Sequence, residues 1–126
     1  MRAVDTNVLI RLVTGDDPEQ TASAESFVKQ GAWVSVLALA ETAWVLGSIY
    51  SRSLQDVAGA IDMLLNHRDL VLQDAEAVAA ALKLFRARPA LGFTDCLMLE
   101  LARKAGHLPL GTFDRNLAKV EGSQML

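Results

Sequence analysis

Two textures alternate along the chain. Short apolar runs, Ala3-Val4, Trp33 to Val36, Leu70 to Leu72 and Leu108 to Gly111, read as strands, and the stretches between them carry apolar residues at helical spacing. After the first run, Thr6 to Thr14 places Val8, Leu9, Leu12 and Val13 on one side of a helix that stops at Gly15-Asp16-Asp17-Pro18. Asp17 before Pro18 is an N-cap with proline at the first helical position, and Ala22, Ala24, Phe27 and Val28 continue that second helix toward Gly31. The run from the second strand to Tyr50 is apolar nearly all round, which predicts a largely buried helix with Trp44 in the core. Ser53 to Asn66 and Ala75 to Arg88 are further helices, Pro89 to Gly92 breaks the pattern, Thr94 to Lys104 is helical, and a short helix from Asp114 to Val120 follows the last strand.

Wholly apolar strands separated by helices point to a parallel sheet of about four to five strands covered on both faces, a three-layer α/β/α sandwich. In such sheets ligands sit beyond the carboxyl ends of the strands. A chain of 126 residues with no repeat, linker or low-complexity segment suits a single domain over 1–126. The lone Cys96 excludes a disulfide framework or a cysteine-rich zinc site and suits a reducing cytoplasm. The apolar stretch Val36 to Ala40 is stopped by Glu41, so neither a membrane span nor a standard export signal is expected. With a formal net charge of −3, a polyanion partner must be held by a local basic patch or by metal ions.

Four carboxylates fall in apolar surroundings: Asp5 after the first strand, Glu41 in "VLALAETAWVL", Asp95 in "GFTDCLMLELA" and Asp114 in "LPLGTFDRN". Asp5 and Asp114 have a simple role open to them as helix caps, and Asp95 as a first-turn acid favoured by the helix dipole. Glu41 is harder to place, because an unpaired buried carboxylate is costly; its simple role is at a helix edge, reaching water or an arginine. If Asp5 and Asp114 follow strands that pair in one sheet, and Glu41 and Asp95 lie on early turns after neighbouring strands, one rim gathers all four. Protonation or a cation must relieve their repulsion, and oxygen-only ligands select hard ions such as Mg²⁺ or Mn²⁺ over Zn²⁺.

Taken in order, "VDTNVLIRL", Glu41 after the second strand, "GFTDCLMLELA" and "GTFDRNL" resemble the signatures of a PIN domain, and more narrowly those of a VapC-type toxin of a bacterial toxin–antitoxin pair. The resemblance spans essentially the whole chain. It implies a Mg²⁺- or Mn²⁺-dependent endoribonuclease, usually a homodimer, cutting a transfer or ribosomal RNA and held in check by a cognate antitoxin whose tail covers the active site. Asp5, Glu41, Asp95 and Asp114 match the family's acidic quartet, Asn7 the asparagine of its first motif, and Thr112 the hydroxyl two places before the last acid. Cys96 stands where a small residue such as alanine is usual and reads as a small buried hydrophobe. Gly111 adds flexibility beside the last acid.

The expected chemistry has Asp5 and Asp95 holding the principal metal, Glu41 assisting directly or through water, and Asp114 completing the pocket or holding a second ion, with products bearing 5′-phosphate and 3′-hydroxyl ends. His67 and His107 lie near helix ends and are expected at the surface or as C-terminal caps. Lys83, Arg86 and Arg88, with Arg115, are candidate RNA contacts, and a solvated helix face explains them equally well. Trp33, Trp44 and Tyr50 are aromatic candidates for a dimer or antitoxin interface. A haloacid-dehalogenase-like phosphatase needs a second aspartate where Asn7 stands, and a receiver domain needs a central aspartate and a late lysine that are missing here. A non-catalytic PIN-fold module that binds RNA or protein stays open.

Overall fold

The computed structural model describes all of residues 1–126, as two compact units, Met1–Ala75 and Glu76–Leu126. The first unit runs β1 (Arg2–Ala3), α1 (Thr6–Thr14), α2 (Pro18–Val28), β2 (Ala32–Val34), α3 (Val36–Ser48), α4 (Leu54–Leu65) and β3 (Leu70–Leu72). The strands form one parallel sheet in the order β1-β2-β3, with Arg2 level with Ala32 and Ala32 level with Leu70. Each helix opens on the cap its sequence supplies. Asp17, Ser35 and Ser53 accept the backbone N–H groups of Gln20, Ala38 and Asp56 at 3.0 Å, satisfying donors that a helix start leaves unpaired. Gly15 ends α1 at a φ of +61°, a left-handed conformation that glycine adopts without steric cost.

The core of this unit gathers Leu9, Ile10, Val28, Val34, Leu39, Leu46, Ile61 and Leu64, all nearly inaccessible to water. Their burial is the main favourable term holding the elements together. β2 and β3 nevertheless alternate buried, exposed, buried: Trp33 and Val71, level with each other, stay 37% and 50% exposed. A polar cluster ties three helix ends. The Arg11 guanidinium donates to Asp16 Oδ1 (3.0 Å), Tyr50 Oη (3.2 Å) and Gln20 Oε1 (2.7 Å), while Tyr50 donates to Asp16 Oδ2 at 2.9 Å. Tyr50 is thus engaged inside its own unit.

The second unit runs α5 (Ala75–Ala87), a 3₁₀ turn at Pro89–Leu91, α6 (Phe93–Ala105), β4 (Leu110–Thr112), a 3₁₀ turn at Leu117–Lys119 and β5 (Ser123–Met125). β4 and β5 pair in parallel. Phe85 and Phe93 meet edge to face with ring centroids 6.0 Å apart, among buried Val78, Ala81, Leu82, Cys96 and Leu99. Arg103 bridges to Glu100 at 3.1 Å and donates to the Glu121 carbonyl at 2.8 Å, holding the turn before β5.

The α/β architecture with parallel strands matches expectation; the expected single sheet of about four to five strands does not, because the strands pair in two ladders, β1-β2-β3 and β4-β5. Four local differences have physical reasons. β4 starts at Leu110 because Pro109 has no N–H to give a ladder. β5 carries the polar Ser123-Gln124 and has no apolar run to announce it. The last helix shrinks to the 3₁₀ turn Leu117–Lys119, since Asp114 turns the chain first. α3 buries only Ala38, Leu39, Thr42, Ala43 and Leu46; Leu37 and Trp44, 73% and 61% exposed, lie on its outer side, so Trp44 is not core. No helix is long and apolar enough to cross a membrane.

Candidate active site

In the first unit the carboxyl ends of β1 and β2 lead into the motif residues. Val4 N–H donates to the Trp33 carbonyl at 3.1 Å, carrying the β1–β2 pairing up to the residue before Asp5. Asp5 then leaves the strand in extended conformation and caps α1, one carboxylate oxygen accepting the Val8 N–H at 3.3 Å. The start of α3 is fixed twice, by the Ser35 cap and by Gln73, just past β3, whose Oε1 accepts the Val36 N–H at 2.9 Å. Glu41 sits in the second turn of α3 and is exposed. It escapes the expected desolvation because it shares the outer side of α3 with Leu37 and Trp44, one turn to each side. Asn7 is exposed near the start of α1 and lines a groove of about 310 Å³ with Val8, Arg11, Gln20, Ser23 and Phe27.

In the second unit Gly92 introduces α6 at a φ of +82°, where a side chain would strain the backbone, and nothing else crowds it. Asp95 follows in the first turn of α6, half-buried, and no protein donor reaches its carboxylate. Burial, and then the negative charge of Asp114, push the Asp95 carboxyl above the usual aspartate range, against the pull of a helix N-terminus. Asp114 is built into a turn at the end of β4. Its N–H donates to Thr112 Oγ at 3.0 Å, and its Oδ1 accepts the N–H groups of Asn116 (2.8 Å) and Leu117 (3.0 Å). Thr112 is therefore the residue that sets the backbone of the last acid. Gly111 is no hinge: a Cβ there would meet the Leu126 side chain at 3.2 Å.

The structure thus brings Asp95 and Asp114 into electrostatic contact, with Thr112 holding the second of them. No group of three or more histidine, cysteine, aspartate or glutamate side chains is gathered closely enough to hold a metal ion. The donor chemistry of the pair still suits a hard cation: two carboxylates, one partly desolvated and without hydrogen bonds, whose mutual repulsion a divalent ion relieves. Cys96 is fully buried, and burial, helped by the charges of Asp95 and Glu100, pushes its thiol up to about 11. It is an inert core residue, as its sequence context suggests.

Lys83, Arg86, Arg88 and Arg115 are all exposed, the first two a turn apart on α5 and Arg115 directly after Asp114. His67 follows α4, and its Nδ1 accepts the Asp69 N–H at 3.1 Å; His107 follows α6 and is exposed. Both histidines are loop residues past helix ends, in agreement with the sequence. Sequence reasoning gave no role to Phe113, which is 80% exposed between Thr112 and Asp114. Only the rarity of an aromatic in so polar a turn could have marked it.

A search among curated proteins and solved structures gives no match. The PIN domain family profile matches residues 2–123, from the first residue of β1 to the first of β5. With nearly the whole length matched, the chain belongs to the PIN domain family.

Proposed function

We propose that this protein is a Mg²⁺- or Mn²⁺-dependent endoribonuclease, the toxin of a toxin–antitoxin pair, which hydrolyses RNA such as transfer or ribosomal RNA to 5′-phosphate and 3′-hydroxyl ends. PIN domains are typically nucleases and usually use divalent metals. The observation that carries the proposal is the Asp95–Asp114 pair, in stretches that resemble the family's motifs: a half-buried carboxylate with no donor, raised in pKa by burial and by a second acid.

Asp5, Glu41, Asp95 and Asp114 are the proposed cation ligands, with Asn7 and Thr112 in support. When bound, a divalent ion supplies water activation and neutralises phosphate charge. The residues prepare for it in different ways. Asp114 Oδ1 is committed to two backbone N–H groups, which fixes the carboxylate plane and leaves Oδ2 for a ligand. Asp5 divides its oxygens similarly, one capping α1 and the other free. Asp95 and Glu41 take no backbone bond and offer both oxygens. Lys83, Arg86, Arg88 and Arg115 are the proposed contacts to the RNA backbone, a role that requires local positive charge on a chain of net charge −3. Homodimerisation and capture by an antitoxin are part of the same reading, supported by the exposed Leu37 and Trp44 on α3.

The test is incubation of purified protein with cellular RNAs under Mn²⁺, Mg²⁺ or EDTA, beside Asp95→Asn. Cuts at discrete positions, lost in EDTA and in the variant, are expected. Cleavage that survives in Asp95→Asn would overturn the assignment of the site. RNA binding with no cleavage in either metal would instead assign the non-catalytic module.

A further inference from the structure

Phe113 is the most exposed of the large hydrophobic residues, at 80%, in a turn whose neighbours are polar or charged. The backbone on either side of it is pinned. The Thr112 carbonyl accepts the Leu126 N–H at 3.0 Å, Thr112 Oγ accepts the Asp114 N–H at 3.0 Å, and Asp114 Oδ1 closes the following turn onto Asn116 and Leu117. A ring on so constrained a backbone has a fixed point of departure and forgoes the burial a phenylalanine ordinarily gains. It is followed by Asp114, whose side chain is fixed by the turn, and then by the exposed Arg115. One protruding aromatic beside a cation, in a polar setting, suits a flat partner with an attached anion better than an extended apolar protein surface.

We propose that Phe113 stacks on a nucleobase of single-stranded RNA next to the phosphate that is cut, with Arg115 beside it on the backbone. Single-stranded RNA is read by stacking of splayed bases on aromatic side chains, and this contact tolerates any base because each presents a π-face. The inference rests on the ribonuclease reading and extends it: Phe113 positions the nucleotide and does no chemistry.

The experiment measures binding of a fluorescein-labelled, mixed-sequence short RNA in EDTA, and of the same sugar–phosphate chain without bases, by wild type, Phe113→Leu and Phe113→Trp. Phe113→Leu is expected to weaken RNA binding ~5- to 150-fold, the equivalent of about 1–3 kcal/mol per stacked base. Phe113→Trp restores it, and the abasic chain binds all three proteins equally. In metal, Phe113→Leu raises KM by a similar factor with little change in kcat. Unchanged RNA binding by Phe113→Leu, or equal losses on the abasic chain, overturns the stacking role. Base-dependent binding without cleavage by wild type would sink the nuclease reading and leave stacking intact. Cleavage unaffected by Phe113→Leu would do the reverse, and absence of any RNA binding by wild type overturns both.

Discussion

Asp5 has two jobs available, and its substitutions separate them. As a cap it accepts one bond, from the Val8 N–H, at 3.3 Å and in an exposed setting. Replacing an N-cap aspartate by alanine costs about 0.5–2 kcal/mol, and a long, solvent-exposed bond belongs in the lower half of that range. The negative charge at the helix start adds ~0.3–1 kcal/mol, reduced by salt. Asp5→Ala is therefore expected to lose about 1 kcal/mol, a fall in Tm of roughly 3–5 °C for a chain of this size. Asp5→Asn and Asp5→Ser keep an accepting oxygen, and asparagine and serine rank level with aspartate as caps, so with the charge term screened by salt each should lie within ~0.5 kcal/mol of wild type.

If Asp5 is also a cation ligand, activity does not follow that graded series. All three variants lose RNA cleavage under Mn²⁺ by more than ~100-fold, since even groups that only support a ligand are worth ~10- to 100-fold. Urea unfolding followed by Trp33 and Trp44 fluorescence gives the stability arm, and cleavage of a mapped RNA site gives the other. Asp5→Asn retaining cleavage within ~10-fold of wild type would show that capping is its whole role. A loss above ~2 kcal/mol in Asp5→Ala would refute the local account of the cap.

Asp95 predicts an inverted pH dependence. Its carboxyl is raised on folding, so the folded state holds the extra proton between the unfolded and folded values, and the charged form weakens the fold as pH rises through that window. In EDTA, Asp95→Asn should be more stable than wild type at neutral pH, with the advantage gone below the unfolded value near ~3.9; lower stability of the variant at pH ~7 would contradict this. Asp16 has the opposite sign: the Thr14 and Tyr50 hydroxyls lower its carboxyl, so its contribution is present above ~3.9 and lost as acid reaches the lowered value. Asp16→Asn should accordingly flatten the acid limb of a stability-against-pH curve, and an unchanged limb would dismiss the cluster. Phe85→Ala, at a site 2% exposed and packed on Phe93, should cost ~3–5 kcal/mol by chemical denaturation. Cys96 should resist alkylation at pH ~8 in the native protein and react only on unfolding; rapid native labelling would show its burial to be wrong.

What the sequence discloses well is whatever one local rule decides. Asp17-Pro18 and Ser53 each start a helix where the sequence places one, and Gly92 and Gly106 mark the two ends of α6, whereas Ser35, read as part of a strand, caps α3 instead. What it conceals depends on which side of an element meets the core. α3 is apolar nearly all round, so its pattern gives no direction; Leu37 and Trp44 turn outward while Thr42, a polar residue, is fully buried and satisfied by its own helix through the Ala38 carbonyl at 2.7 Å. The same ambiguity hides the exposure of Glu41, because the apolar residues one turn to each side of it, Leu37 and Trp44, are themselves on the outer side of α3. β5 was invisible for the opposite reason: its strand is created by pairing with β4 rather than by an apolar run of its own.

The four motif acids therefore fall into two mechanical classes. Asp5 and Asp114 each spend one oxygen on backbone N–H groups at the end of a strand, so the fold orients them whether or not a cation is bound. Asp95 and Glu41 have no such restraint, and Asp95 is held where burial and a neighbouring charge both oppose its ionised form. An arrangement made for stability alone would place an amide or an apolar side chain at position 95, because burial and the Asp114 charge outweigh the favourable helix N-terminus there. That opposition to the ionised form separates Asp95 from a cap: neutralising Asp114 disturbs a turn, whereas neutralising Asp95 relieves the fold. A cation that binds between them must reverse the second effect, so saturating Mn²⁺ should raise the Tm of wild type and leave Asp95→Asn unmoved. An equal rise in both would remove Asp95 from the ligand set.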